Sequence, residues 1–201
     1  MIDVVVIAAG EGRRLRPLTQ RWPKPVLPID GRPVIASLAR ELAASGFTRV
    51  SVVTGHLATQ VEGLLGDGSA FGLELRYVRQ PSPEGSADAV RRAVRAGAGP
   101  PLIVTAADNV FNPGDVRRFA DAFAASGAAA ALGARPDGSW APLWGLTQAV
   151  SDVLDDLPGP PYELLRAVEQ AGVEVRRIEI GKTRDLTDPL DLVRENFSYL
   201  R

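Results

Sequence analysis

Short runs of consecutive apolar residues recur along the chain, at residues 4–8, 50–53, 102–105 and 173–180. Strands of a sheet that carries helices on both faces show such unbroken Val/Ile runs, because neither side of the strand meets water. Residues 128–131 form a further short alanine-rich run, which indicates a strand packed under a helix. The pattern predicts a largely parallel, buried sheet.

Segments with helical spacing of apolar residues lie between these runs, at residues 33–44, 58–65, 84–96, 113–125, 162–171 and 189–200. Two of them begin with a favourable cap followed by proline, Asn112 before Pro113 and Asp188 before Pro189. Residues 133–145 and 158–161 are rich in glycine and proline and indicate loops. The alternation of strands and helices predicts an α/β fold.

Composition narrows the class of protein. The chain has 201 residues, a net charge of -1 and no cysteine, which suits a single domain over residues 1–201 without disulfides or thiolate metal sites. A near-neutral chain is not expected to bind nucleic acid. The short apolar N-terminus lacks the basic segment of a signal peptide, and no run approaches the roughly 20 residues of a membrane span. We expect a cytoplasmic protein without a membrane partner.

Lysine is rare: of 23 basic residues only Lys24 and Lys182 are lysines, so 21 are arginines. Lys24 stands between Pro23 and Pro25. Proline fixes its own φ and reduces the freedom of the loop, so the lysine is held in place. This arrangement favours a role for Lys24 that needs a compact ammonium charge.

A glycine- and arginine-rich loop, residues 8–19, follows the first predicted strand. Ligands of open α/β sheets bind beyond the carboxyl ends of the strands, and glycines let backbone N–H groups approach a phosphate. Leu15 occupies the position of the third glycine of a dinucleotide-binding fingerprint, so that motif is excluded. Taken alone, the loop is either a phosphate cradle or a tight turn.

Four segments in order resemble the sugar-1-phosphate nucleotidyltransferases, in particular the glucose-1-phosphate thymidylyl- and uridylyltransferases. They are residues 8–35 with the G-x-G-x-R-L and P-K-P elements, 80–87, 108–111 and 185–192. The resemblance implies a Rossmann-like three-layer α/β/α nucleotidyltransferase fold with a mainly parallel mixed sheet.

The resemblance also implies roles for individual residues. Arg14 and Lys24 would be catalytic through their charge, and Mg²⁺ would be the cofactor. The implied nucleotide-binding residues are Ala8, Ala9, Gly10, Gly12, Gln80, Gly85 and Ser86, and the implied metal ligands are Asp108 and Asp185. Structural alternatives remain: Asp108 and Asp185 could cap a turn and a helix, and Gln80 could be an exposed loop amide.

The middle of the chain departs from the family. The family often has threonine where this chain has Arg13, and its Glu-Lys-Pro element of the sugar-phosphate site is missing from residues 133–145. Gly145, within Trp-Gly-Leu, would correspond to a sugar-contacting strand, and Arg135 or Lys182 could bind the acceptor phosphate. We therefore expect an acceptor pocket that is smaller than, or different from, that of the typical sugar enzymes.

The expected reaction is transfer of dTMP or UMP from the triphosphate to a sugar 1-phosphate, with release of pyrophosphate. Two alternatives stay open: a cytidylyl- or guanylyltransferase acting on a phosphoalcohol or another small phosphorylated acceptor, or a non-catalytic domain that binds nucleotide or sugar phosphate. The sequence does not indicate the oligomeric state; a homodimer is one of the states left open.

Overall fold

The computed structural model describes residues 2–156 and 163–197. Its strands are β1 (Asp3–Ala8), β2 (Pro28–Ile29), β3 (Arg32–Pro33), β4 (Arg49–Thr54), β5 (Glu74–Arg79), β6 (Leu102–Ala106), β7 (Asn109–Val110), β8 (Ala130–Ala134), β9 (Trp140–Leu146), β10 (Val175–Glu179) and β11 (Arg184–Asp185). Its α-helices are α1 (Val34–Ala44), α2 (Ala58–Leu65), α3 (Gly85–Arg95), α4 (Asp115–Ser126), α5 (Gln148–Asp156), α6 (Leu164–Gln170) and α7 (Pro189–Asn196).

Within the described residues, seven strands form one sheet in the order β10-β8-β9-β6-β1-β4-β5. The pairs β1–β4, β1–β6, β4–β5 and β8–β10 are parallel, whereas β9 runs antiparallel to both β6 and β8. The sheet is therefore mixed and mainly parallel, as the sequence predicted. The parallel strands of the β1 half end at the same edge, where a ligand site is expected.

Apolar side chains cover both faces of the sheet. Leu38 of α1 and Phe119 of α4 belong to the core on one face, and Val90 of α3 and Leu154 of α5 belong to the core on the other. All four are at most 1% exposed. This arrangement confirms the predicted three-layer α/β/α fold. No described helix has both the length and the apolar character needed to cross a membrane.

Of the two helix starts that the sequence predicted from a cap and a proline, one is confirmed and one was wrong. Helix α7 begins as expected: Asp188 accepts a hydrogen bond from the Leu190 N–H at 2.7 Å, and Asp191 accepts one from the Asp188 N–H at 3.0 Å. The predicted start of α4 at Pro113 was wrong, because Gly114 in the left-handed region ends the turn and Asp115 begins the helix. The loop expected at 158–161 and the predicted helix residues 162 and 198–200 lie outside the described residues.

The loop predicted over residues 133–145 was too long: it covers only residues 135–139, because β8 and β9 form an antiparallel hairpin on either side of it. Pro142 suggested a loop, since proline cannot donate to a sheet ladder. In the structure it lies where the register between β8 and β9 shifts and beyond the last β6 pairing at Leu143, so no ladder bond requires its missing N–H. The edge strand β5 and helix α5 were not predicted; β5 is half-exposed and mixes charged with apolar residues.

Candidate active site

A cavity of about 600 Å³ opens at the carboxyl ends of β1 and β6 and beside the first half of β9. It brings together ten of the predicted site residues: Ala8, Ala9, Gly10, Gly12, Arg14, Lys24, Gln80, Gly85, Ser86 and Asp108. These residues come from three separate segments of the chain, so only the fold makes them neighbours. The predicted phosphate and base residues therefore share one pocket with Asp108, one of the two predicted metal ligands.

The loop after β1 is held in a fixed shape. Gly12 has φ +60°, and its carbonyl accepts a hydrogen bond from the Thr19 hydroxyl at 2.9 Å. A Cβ at Gly12 would lie 2.9 Å from Thr19 Cγ2 and 3.2 Å from Lys24 Cβ, whereas one at Gly10 would meet nothing within 4 Å. Gly12 is therefore required by the loop itself, whereas Gly10 leaves open space in the cavity.

We predict different effects for alanine at these two glycines. Gly12→Ala places a side chain in the left-handed region and against Thr19, so it should lower the free energy of unfolding by about 1–2 kcal/mol. Gly10→Ala should leave thermal stability unchanged and raise the KM for the nucleotide, because the methyl group fills space facing the ligand. Thermal melts measure the stability of the two variants, and initial rates measure their KM for the nucleotide. An equal fall in melting temperature in both would contradict the different roles given to Gly12 and Gly10.

The arginine that departs from the family pattern is neutralised. Arg13 Nε donates to the Glu11 carboxylate at 2.8 Å, and this hydrogen bond with the arginine charge lowers the pKa of Glu11. Arg14, also at the cavity wall, makes no ion pair with any described residue. Of the two neighbouring arginines, Arg14 therefore has the guanidinium that remains available to an anionic ligand.

Lys24 is held as the sequence predicted. Its flanking residues Pro23 and Pro25 are buried, and its own side chain is 16% exposed. The ammonium group forms a direct ion pair with the Asp108 carboxylate. The structure thus joins the proline-flanked lysine to the turn that follows β6, which the sequence places 84 positions later.

Asp185 reaches the same region through a two-stranded pairing. Strand β11 runs antiparallel to β7, with Asp185 opposite Asn109, the neighbour of Asp108. Asn109 Nδ2 donates to Asp108 at 2.9 Å, while its buried Oδ1 has no partner among the described residues. Asp185 does not itself line the cavity, although the next residue, Leu186, does.

These oxygen donors are of the type that Mg²⁺ prefers. Within the described residues, no three acidic, histidine or cysteine side chains come together as a metal cluster. Mg²⁺ commonly uses one or two carboxylates together with substrate phosphates, so two aspartates suffice on the protein side. Asp108 and Asp185 could hold such an ion next to a bound triphosphate.

Gln80 follows β5 and is only 4% exposed, so it is not the exposed loop amide that the sequence left open. Its Nε2 donates to the Gly85 carbonyl at 3.0 Å and to Asp88 Oδ2 at 2.8 Å. Gln80, Gly85 and Ser86 together form the wall at the start of α3. A planar base placed against this wall meets the glutamine side chain and the first turn of the helix.

Ser86 connects this wall to the other side of the cavity. Its hydroxyl donates to the Glu163 carboxylate at 2.9 Å and accepts from the Leu164 N–H at 2.7 Å. Leu164 begins α6, which therefore starts against the same serine that opens α3. Glu163, Leu164 and Leu165 line this part of the cavity with Pro142 and Trp144 of β9.

Two of the predicted acceptor residues lie elsewhere. Arg135 is at the end of β8, where its Nε donates to the Thr183 hydroxyl at 2.6 Å and a second nitrogen donates to the Trp140 carbonyl. Lys182 is exposed. Neither side chain lines the cavity, because Arg135 follows β8 and Lys182 follows β10, which lie two and three strands away from β6 in the sheet. The structure therefore corrects their expected placement at an acceptor phosphate.

Gly145 also lies away from the cavity, on the other face of β9. A Cβ there would lie 2.4 Å from the Phe123 ring of α4, so this glycine accommodates a close helix. Side chains alternate between faces along a strand, and Trp144, one residue earlier, points to the cavity side. Had the register of β9 been known, Trp144 and Pro142, rather than Gly145, would have been named as acceptor candidates.

We predict that Gly145→Ala lowers thermal stability but leaves the KM for the acceptor unchanged. Overpacking of a dense core costs about 1–3 kcal/mol, which corresponds to a fall in melting temperature of several degrees. Gly63→Ala in α2 is the matched control, since its Cβ would meet nothing within 4 Å. A normal melting temperature with a raised acceptor KM would restore Gly145 to the binding site.

Comparison with known proteins shows which family the chain matches. Residues 3–146 match the model of the nucleotidyl transferase family. A CMP-5'-(3-aminopropyl)phosphonate synthase of Streptomyces rubellomurinus is 36% identical over 137 residues, 67% of this chain and 22% of that protein. An N-acetylmuramate alpha-1-phosphate uridylyltransferase of Neisseria meningitidis is 36% identical over 110 residues, 53% of this chain and 47% of that protein.

The fold has close structural relatives. A Bacillus anthracis structure assigned as a glucose-1-phosphate thymidylyltransferase superposes with a TM-score of 0.86 at 21% identity, covering 98% of this chain and 94% of that one. At this identity the likeness concerns the fold. This chain spans less than half the length of the two curated relatives named above.

Proposed function

Because residues 3–146 match its model, the chain belongs to the nucleotidyl transferase family, and we propose that it transfers a nucleoside monophosphate to a small phosphorylated acceptor. The observation that carries this proposal is the single cavity in which the glycine loop, Lys24 and Asp108 meet. The buried prolines on either side of Lys24 hold its ammonium at the wall of this cavity, beside the glycine loop.

The proposed step is a displacement at phosphorus. An oxygen of the acceptor phosphate attacks the α-phosphorus of the triphosphate, the bond to the β-phosphate oxygen breaks, and pyrophosphate leaves with that electron pair. The protein positions the reactants and stabilises charge. In this proposal Lys24 and Arg14 neutralise charge on the phosphates, and backbone N–H groups of the Gly10–Gly12 loop contact them.

Mg²⁺ is proposed as the cofactor, with Asp108 and Asp185 as its protein ligands. It would supply charge neutralisation at the triphosphate. The fit rests on the pairing of β7 with β11, which brings both carboxylate-bearing turns together, and on their purely oxygen donors. The ammonium of Lys24 holds the Asp108 side chain at the cavity wall before substrate binds.

We favour UTP or dTTP as the nucleotide. Gln80 lies in the wall of the cavity with both amide hydrogens directed at protein acceptors, which leaves its carbonyl oxygen for a ligand N–H. Uracil and thymine carry such an N–H at ring position 3, whereas cytosine carries an unprotonated nitrogen there. The uridylyltransferase relative is named for the first of these bases.

For the acceptor, a sugar 1-phosphate is the first candidate, because the family resemblance lies with enzymes of that class. A compact phosphorylated alcohol or phosphonate is the second. It is favoured by the apolar lining residues Pro142, Trp144 and Leu165 beside β9 and α6, which offer no side-chain hydrogen bonds to the hydroxyl groups of a sugar, apart from the weak donor of Trp144. The name of the Streptomyces relative describes a phosphonate nucleotide.

A pyrophosphate-release panel tests the proposal. Each of UTP, dTTP, CTP and GTP is combined with sugar 1-phosphates and with phosphoalcohols, with Mg²⁺ and with EDTA. We expect release with one acceptor class, with UTP or dTTP preferred and with EDTA abolishing it. Nucleotide binding without release across the whole panel would instead support the non-catalytic alternative.

A further inference from the structure

A buried carboxylate lies behind the wall formed by Gln80, Gly85 and Ser86, and the function proposed above gives it no role of its own. Asp88 lies in the first turn of α3 and is 7% exposed. Its Oδ2 accepts hydrogen bonds from Gln80 Nε2 at 2.8 Å and from Arg92 Nε at 2.5 Å, and its Oδ1 lies 3.5 Å from an Arg91 nitrogen. It does not line the cavity, so it can act on a ligand only through Gln80.

The two partners of Gln80 determine how its amide is oriented. The Gly85 carbonyl and an ionised carboxylate accept hydrogen bonds and donate none. Both hydrogens of Nε2 are therefore used within the protein, and Oε1 is the atom left for a ligand. Rotating the amide by half a turn would put Oε1 against two oxygen acceptors, which is unfavourable in a buried site.

We propose that Asp88 is a positioning residue for nucleotide choice: it holds Gln80 with Oε1 towards the base and so selects uracil or thymine over cytosine. This inference rests on the proposed function, in which Gln80 contacts the base. Oε1 accepts the N3–H of uracil or thymine. Opposite cytosine N3 it would face a second acceptor, and the fixed amide cannot rotate to correct the mismatch.

The surroundings keep Asp88 in its accepting form. Burial acts to raise the pKa of Asp88, but the hydrogen bonds from Arg92 and Gln80 and the charges of Arg92 and Arg91 outweigh it and lower the pKa. The carboxylate is therefore ionised at neutral pH. Arg92 also pairs with Glu84 at 2.8 Å, so its guanidinium is fixed by two carboxylates, those of Asp88 and Glu84.

Nucleotide binding by calorimetry tests the proposal without knowledge of the acceptor. The dissociation constants of UTP and CTP, with Mg²⁺ present, are measured for the wild type, Asp88→Ala and Asp88→Asn. We expect the wild type to bind UTP at least about 10-fold more tightly than CTP, as one mismatched buried hydrogen bond implies. Asp88→Ala should reduce this ratio to about 3-fold or less, because Gln80 becomes free to rotate.

Asp88→Asn should keep the wild-type ratio, because its side-chain oxygen can replace Oδ2 for both Gln80 and Arg92. Asp115→Ala is the matched control: Asp115 is also buried in the first turn of a helix and paired with an arginine, Arg118, but does not touch Gln80. It should keep the ratio too. Thermal melts establish that each variant is folded, and Asp88→Ser replaces Asp88→Ala if the alanine variant does not fold.

The outcomes separate the inference from the proposed function. A wild type that binds UTP and CTP equally well means that Gln80 does not select the base, and the proposed nucleotide choice fails. A selective wild type whose Asp88→Ala variant stays equally selective overturns the inference alone. Loss of affinity for both nucleotides by the same factor, or loss of selectivity in Asp88→Asn, also overturns it, since each would show a role other than the accepting oxygen.

Discussion

Replacing Lys24 with alanine is expected to lower turnover by about 10²–10³-fold while the protein stays folded, the magnitude observed when one charge-stabilising donor is removed from an active site. The side chain is rigidly placed, because its flanking prolines are buried and its ammonium is paired with Asp108. Arginine cannot substitute fully for a compact ammonium, so Lys24→Arg should recover only part of the loss.

The measurement is the rate of pyrophosphate release at saturating substrates, with a thermal melt of each variant. Lys182→Ala is the natural control, because Lys182 is the chain's other lysine and is exposed outside the cavity. It should retain wild-type rates within about two-fold. Near-normal turnover of Lys24→Ala, or an equal loss in Lys182→Ala, would remove Lys24 from the catalytic group.

Replacing Asp108 with alanine should abolish measurable turnover for a different reason. The change removes a proposed metal ligand and also leaves the Lys24 ammonium without its partner. Removing one member of a partly buried ion pair disturbs the group that remains, so the loss should exceed that of either effect alone. We expect the apparent affinity for Mg²⁺, read from the metal dependence of the rate, to fall sharply in the milder Asp108→Asn variant.

Asp121→Asn serves as the control for Asp108, since Asp121 is an exposed aspartate on α4 that pairs with Arg117. Its metal dependence should match that of the wild type. A double variant, Lys24→Ala with Asp108→Ala, measures how far the two side chains act as one unit. An unchanged metal dependence in Asp108→Asn would show that the carboxylate only holds the lysine.

The predicted site residues that the structure does bring to the cavity include those whose signal is local. Gly12 is marked by the tight turn that it forms, and Lys24 by the proline on each side of it. The structure places both residues at the cavity. The strands at residues 4–8 and 102–105 were recognisable because burial on both faces leaves unbroken apolar runs. Their carboxyl ends then predicted where a ligand site would form.

The parts that the sequence missed depend on partners far away in the chain. Whether Gly145 or Trp144 faces the cavity is decided by a shift of one residue in the register of β9. Strand β11, which carries Asp185 and pairs with β7, is only two residues long, and so short an element leaves no periodic signal. Asp88 has the pattern of an ordinary helix residue until the fold places Gln80 beside it.

The contacts of Ser86 link two parts of the cavity wall, the start of α3 and the start of α6. One part is therefore difficult to alter without the other. The Ser86 hydroxyl, in the first turn of α3 on the proposed nucleotide side, bonds to Glu163 and to Leu164 at the start of α6 on the proposed acceptor side. We therefore expect that changes in α6 intended to alter the acceptor range also change nucleotide affinity, unless Ser86 and its two partners are kept. Substitutions in β9, at Pro142 or Trp144, offer a route to new acceptors that avoids this shared support.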